Sequence, residues 1–162
     1  MNKSPHSFHL IRFPDCDPFN HLNNSRYIDY FINAREDHIV SNYGFNIYSY
    51  AKEKGKGWVV RENRIMYLSP AFLIENVMIQ STLLELNSSD VLVEMRMWNE
   101  SGEKLKALMW SRFVHYDLMT FKKAEHPEEL TSIFSAFLNP LSVGITFDER
   151  VNAVRNMRFD EG

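Results

Sequence analysis

The chain has 162 residues, 44% of them hydrophobic and 14% aromatic, with a formal net charge of −3. That length allows one substantial core rather than two ordinary domains, and the charge gives no electrostatic case for a nucleic-acid partner or a membrane surface. The single cysteine, Cys16, excludes an internal disulfide framework, no apolar run approaches the roughly 20 residues of a membrane span, and Met1 to Phe13 holds no signal-like stretch, so a cytoplasmic location is expected.

His6 to Phe13 reads as a first strand, with Phe8, Leu10 and Arg12 on one face. Pro14 and Pro18 then interrupt regular structure around Asp15-Cys16-Asp17. Asn23 or Asn24 is suited to cap a helix running from Asn24 to Asn42. Arg26, Asp29, Asn33, Glu36 and Asp37 give that helix one narrow polar stripe, and apolar residues cover most of the rest. A helix so widely apolar is expected to be wrapped by a sheet. Gly44 is a plausible terminator, and Tyr48 to Lys54 forms a short second helix ended by Gly55 and Gly57.

Four strand candidates follow: Trp58–Leu68, Val77–Leu86, Val91–Trp98 and Lys104–Tyr116. In the third, Val91, Val93, Met95 and Met97 alternate with Glu94 and Arg96, the pattern of a half-buried strand. Turn chemistry at Ser69-Pro70, Asn87 to Asp90 and Asn99 to Gly102 separates them. Pro127 to Phe137 reads as a helix with proline in its first turn, and Glu149 to Met157 as a poorly patterned helical segment. The expected class is α+β, with a long helix on one face of an antiparallel sheet. Residues 1–138 are assigned to one domain and 139–162 to a C-terminal extension whose structure the sequence does not define.

The chemistry concentrates between Asp15 and Tyr27, where two carboxylates, an imidazole and three side-chain amides precede the apolar helix. Unpaired N–H groups and the dipole at a helix start favour negative charge, as a developing oxyanion requires. Simpler roles compete. Asp15 and Asn23 suit turn and cap positions, Cys16 is a small filler, and Tyr27, Tyr30 and Phe31 suit the core. The other histidines lack metal-ligand spacing, so no metal is expected.

Arg12, Asp15-Cys16-Asp17, His21, Asn23-Asn24, Tyr27 and Arg35 stand in a register that resembles the hotdog-fold acyl-CoA thioesterases of the 4-hydroxybenzoyl-CoA thioesterase-like group. Arg64 to Pro70, Asn99 to Glu103 and Asp117 extend the likeness, which covers about residues 6 to 125. This chain departs from the pattern at Asn20, where the family usually has glycine, and at Ile74-Glu75-Asn76, where a Gly-Asp pair is common.

The resemblance implies a hotdog fold, an antiparallel sheet wrapped around a long central helix. It implies hydrolysis of an acyl thioester, on CoA or a carrier protein, with Asp17 as nucleophile or general base. Backbone N–H groups near Asn23 and Asn24 would form the oxyanion hole. Asn24 would orient water or hold the carbonyl, and His21 would assist proton transfer or position the turn. Asn23, Tyr27, Arg61 and Arg64 are the candidates for substrate binding, Arg61 and Arg64 among the basic side chains available to CoA phosphates. No cofactor is expected beyond CoA as part of the substrate, and the implied assembly is a homodimer or homotetramer. A non-catalytic acyl-CoA-binding module is the alternative on the same fold.

Overall fold

The computed structural model describes residues 2–159. The strands are β1 (His6–Leu10), β2 (Lys56–Tyr67), β3 (Asn76–Leu86), β4 (Asp90–Asn99), β5 (Leu105–Asp117) and a two-residue β6 (Lys122–Lys123). The helices are α1 (Tyr27–Asn42), α2 (Ile47–Lys54), α3 (Glu128–Phe137) and α4 (Phe147–Val154). All pairings between strands are antiparallel, in the order β1-β3-β4-β5-β2, with β6 pairing to β5. The sheet curls as a half-barrel, and the architecture is the hotdog fold.

The start of α1 differs from a simple helical turn. Asn24–Arg26 is a 3₁₀ turn, and the Asn23 side chain caps it by accepting from the Ser25 N–H. The α-helix itself begins at Tyr27. Tyr27, Phe31, Ala34, Arg35 and His38 form the buried stripe of α1 at helical spacing. Opposite them lie Val77, Ile79 and Leu83 of β3, Val93, Met95 and Met97 of β4, and Ala107 and Met109 of β5. Gly55 closes α2 with φ +61°, the left-handed conformation that glycine adopts at low cost.

Two expectations need correction. The first strand ends at Leu10 rather than Phe13, because Arg12 leads into a 3₁₀ turn over Phe13–Asp15. Phe8 is exposed. The strand β4 is buried on both faces, not one, because α4 covers the second face. Phe147, Val151 and Val154 of α4 pack against Met78, Trp98, Leu105 and Leu108. Glu94 lies completely buried under α4, accepting from Arg150 Nε and Nη2 at 2.9 Å each and from Trp110 Nε1 at 2.9 Å. Arg96 Nε is 3.1 Å away. The poorly patterned tail thus contains a docked helix, with a Thr146–Glu149 capping box at its start. Residues 160–162 of the extension lie outside the described residues.

Candidate active site

Asp15 to Asn24 folds into a turn fastened from several sides. The Asp17 N–H donates to the His21 carbonyl at 2.8 Å, and the Asn23 N–H to the Asp15 carbonyl at 2.9 Å. The Leu22 N–H donates to the Ala71 carbonyl at 2.8 Å, which ties the turn to the loop before β3. Asn20 sits at φ +59°, a conformation asparagine tolerates better than most residues, which explains why it can replace glycine here.

The turn orients Asp17. Its Oδ1 accepts from the Phe19 N–H at 2.9 Å and the His21 N–H at 3.1 Å. Among the described residues no group engages Oδ2, so one carboxylate oxygen is held and the other is available. Asp15 has a supporting role: its Oδ2 accepts from Tyr30 Oη at 2.9 Å and its carbonyl from Asn23.

The helix start offers fewer oxyanion donors than the sequence suggested. The Asn23 N–H is taken by Asp15, the Ser25 N–H by the Asn23 side chain, and the Arg26 N–H by the Asn23 carbonyl. The Asn24 N–H meets no acceptor among the described residues. The Asn24 side chain is likewise unengaged there, while its carbonyl accepts from Tyr67 Oη at 2.9 Å.

His21 is partly buried, its ring set edge-on to Phe72 at 5.0 Å between centroids. Tyr27 is buried behind the turn, its hydroxyl accepting from the Ala71 N–H at 3.2 Å. Burial raises the Tyr27 phenol above its ordinary pKa. Asp17, His21, Asn23, Asn24 and Tyr27 therefore gather at one end of α1. Arg61 and Arg64 stand apart on β2. Arg61 is exposed, and Arg64 is paired with Asp148 at 3.0 Å and lies over the Phe147 ring of α4.

Two supporting groups went unassigned in the sequence reading. Tyr67 anchors the helix start, and its signal was its place in the Arg64 to Pro70 stretch that extends the resemblance. Lys106, nearly fully buried, donates to the Pro70 carbonyl and to Glu75, whose carboxylate accepts from the Phe72 N–H. A lysine in a strand gives no sequence sign of holding such a loop.

A family model described as the thioesterase-like superfamily matches residues 11–134, a span that contains the whole turn. The chain belongs to the thioesterase-like superfamily. Among solved structures it is similar to a DHNA-CoA thioesterase from Staphylococcus aureus (TM-score 0.76, 18% identity, covering 82% of this chain and 89% of that one). It is also similar to the probable thioesterase YbaW from Escherichia coli (TM-score 0.70, 25% identity, 83% and 98% covered). A third similar structure is a Staphylococcus aureus protein in complex with CoA (TM-score 0.75, 13% identity, 88% and 89% covered). No curated protein matches the sequence. No helix among the described residues of this superfamily member is long and apolar enough to cross a membrane.

Proposed function

We propose that the protein hydrolyses acyl thioesters, with acyl-CoA as the substrate class. The observation that carries this reading is the Asp17 carboxylate, fixed through Oδ1 by two backbone amides, with Oδ2 and, in the same turn, the Asn24 N–H left without a partner among the described residues. The open oxygen either takes a proton from attacking water or attacks the thioester carbon itself, and in the second case water then hydrolyses the resulting anhydride, freeing the acid and restoring the carboxylate. The carbonyl oxygen, gaining charge, receives the Asn24 N–H at the positive end of the helix. Thiolate leaves without a dedicated acid. The Asn24 carboxamide positions water, His21 shapes the turn beside it, Asn23 and Tyr27 support the binding surface, and exposed Arg61 is available to CoA phosphates; Arg64 would have to leave Asp148 to join it. The similar structure with CoA bound supports the choice of carrier.

The test is thiol release from a panel of acyl-CoAs. Asp17→Asn is expected to lower kcat by about 10²-fold or more, the scale of a positioned base or nucleophile. Equal turnover by variant and wild type would remove Asp17 from the reaction.

The same reading includes a homo-oligomer. Strand β2 is 12 residues long, lies at the sheet edge, and is exposed along most of its length, with Val59, Val60, Met66 and Tyr67 among its exposed residues. An open edge of that length invites pairing with a second copy. Light scattering is expected to give at least twice the 19.1 kDa chain mass. A single-chain mass at micromolar concentration would rule the assembly out.

A further inference from the structure

Arg35 is 5% exposed and has no ion pair among the described residues. Its Nη1 donates to Tyr43 Oη at 2.9 Å and to Ser81 Oγ at 3.4 Å. The guanidinium lies 4.8 Å from the centre of the Tyr43 ring, which stacks on Phe137 at 3.7 Å. His38 Nδ1 shares the same Ser81 hydroxyl at 2.8 Å. The fork is therefore fixed from one side, while Nε and Nη2 have no hydrogen-bond partner among the described residues. A charged group withdrawn from water is costly unless its donors are met, and a guanidinium fork matches a carboxylate in shape.

Arg35 lines a cavity of about 260 Å³ between α1, α2, the inner sheet face and α3. The walls are mostly apolar, with Ile39, Trp58, Val93 and Phe134 among them. The cavity carries one carboxylate, Glu36, which accepts from the Tyr48 hydroxyl. Tyr48 and Leu118, also on the wall, are exposed, so the cavity reaches the surface near α2. Arg35 lies eight residues along α1 from Tyr27, about 12 Å at the helical rise, so this place is separate from the Asp17 turn.

We propose that this cavity binds a small amphipathic carboxylate, its carboxyl group on Arg35 and its hydrocarbon body against the apolar walls. At about 30 Å³ for a water-sized group, the volume takes roughly nine heavy atoms. Heptanoate, with seven carbons and two oxygens, has that size. The site does not depend on thioester hydrolysis: Asp17→Asn is expected to leave it intact.

The experiment is calorimetric titration of the full chain with heptanoate and with heptanamide, its neutral counterpart of equal size. Heptanoate is expected to bind at least about tenfold more tightly, the difference a charge-assisted pair supplies. Arg35→Met is expected to remove that preference and Arg35→Lys to restore part of it, with thermal melting to verify that both variants fold. Ala51→Phe, which fills the cavity from α2, is expected to abolish binding without touching Arg35. Equal affinity for acid and amide, no heptanoate binding, or undiminished binding by Ala51→Phe would each overturn the assignment.

Discussion

Ile74 shows how one residue can resist its own backbone. It lies at φ +64° with its side chain 73% exposed, in the loop that fastens to the Asp17 turn through the Leu73 N–H and the Asn20 carbonyl. The left-handed region crowds a β-branched Cβ, at about 1–2 kcal/mol, and burial of the side chain returns little here. Ile74→Gly is expected to raise stability by about 0.5–1 kcal/mol, after allowing for the freer unfolded chain, in chemical denaturation. No gain would mean that the loop already relaxes the strain. The sequence pointed to this position, since it departs from a pattern with glycine, and likewise to Asn20, where the substitute fits. Asp17 stood out only through the family resemblance of its register, since an aspartate in such a turn otherwise suits a turn position. The unavailability of the Asn23 N–H was not legible, because that donor is lost to a carbonyl, and every residue has one. Arg35 was visible as a letter in a pattern, but that no described residue pairs with its charge is decided by packing.

At the scale of elements, boundaries followed local chemistry closely. The second helix, the four long strands and the α3 segment appear within a few residues of their turn and cap signals. What the alternation in β4 could not convey was its second covering. Glu94 and Arg96 read as a solvated face, yet α4 brings Arg150 to complete a buried charge cluster. Burial alone would raise the Glu94 pKa, but Arg150, Arg96 and Trp110 outweigh it and hold the carboxyl below the usual range. Removing one partner of such a group leaves a charge uncompensated. Arg150→Met is therefore expected to cost about 3 kcal/mol, read as a lower denaturation midpoint. A loss within about 0.5 kcal/mol, the usual range for surface sites, would show that Arg96 and Trp110 suffice.

The whole molecule carries a set of buried or half-buried imidazoles whose lowered pKa values link its folding to pH. Burial, then the Arg35 charge, pushes His38 down to about 3. Burial also lowers His9, His115 and His126. His126 accepts from Trp58 Nε1 at 3.1 Å, and His115 faces Tyr50 Oη at 3.1 Å, so these rings are fitted as neutral groups. In the unfolded chain each titrates near 6.5 and binds protons that the folded form refuses. Stability is thus complete above about pH 6.5 and falls as pH drops toward the folded-state values. His38 alone accounts for about 2 kcal/mol by pH 5, at 1.36 kcal/mol per unit. Melting curves between pH 7.5 and 5 are expected to show this loss, and His38→Gln should flatten it. An unchanged slope in the variant would locate the effect elsewhere. None of this coupling can be read from six scattered histidines in a sequence, because it depends on the depth at which each ring comes to rest.

The phenol at Tyr67 has a mechanical consequence. It stands at the last residue of the long rim strand and grips the carbonyl of Asn24. That single bond ties the rim to the collar from which the central rod departs. A shift of that end of the rim would therefore move the Asn24 carbonyl without touching Asp17.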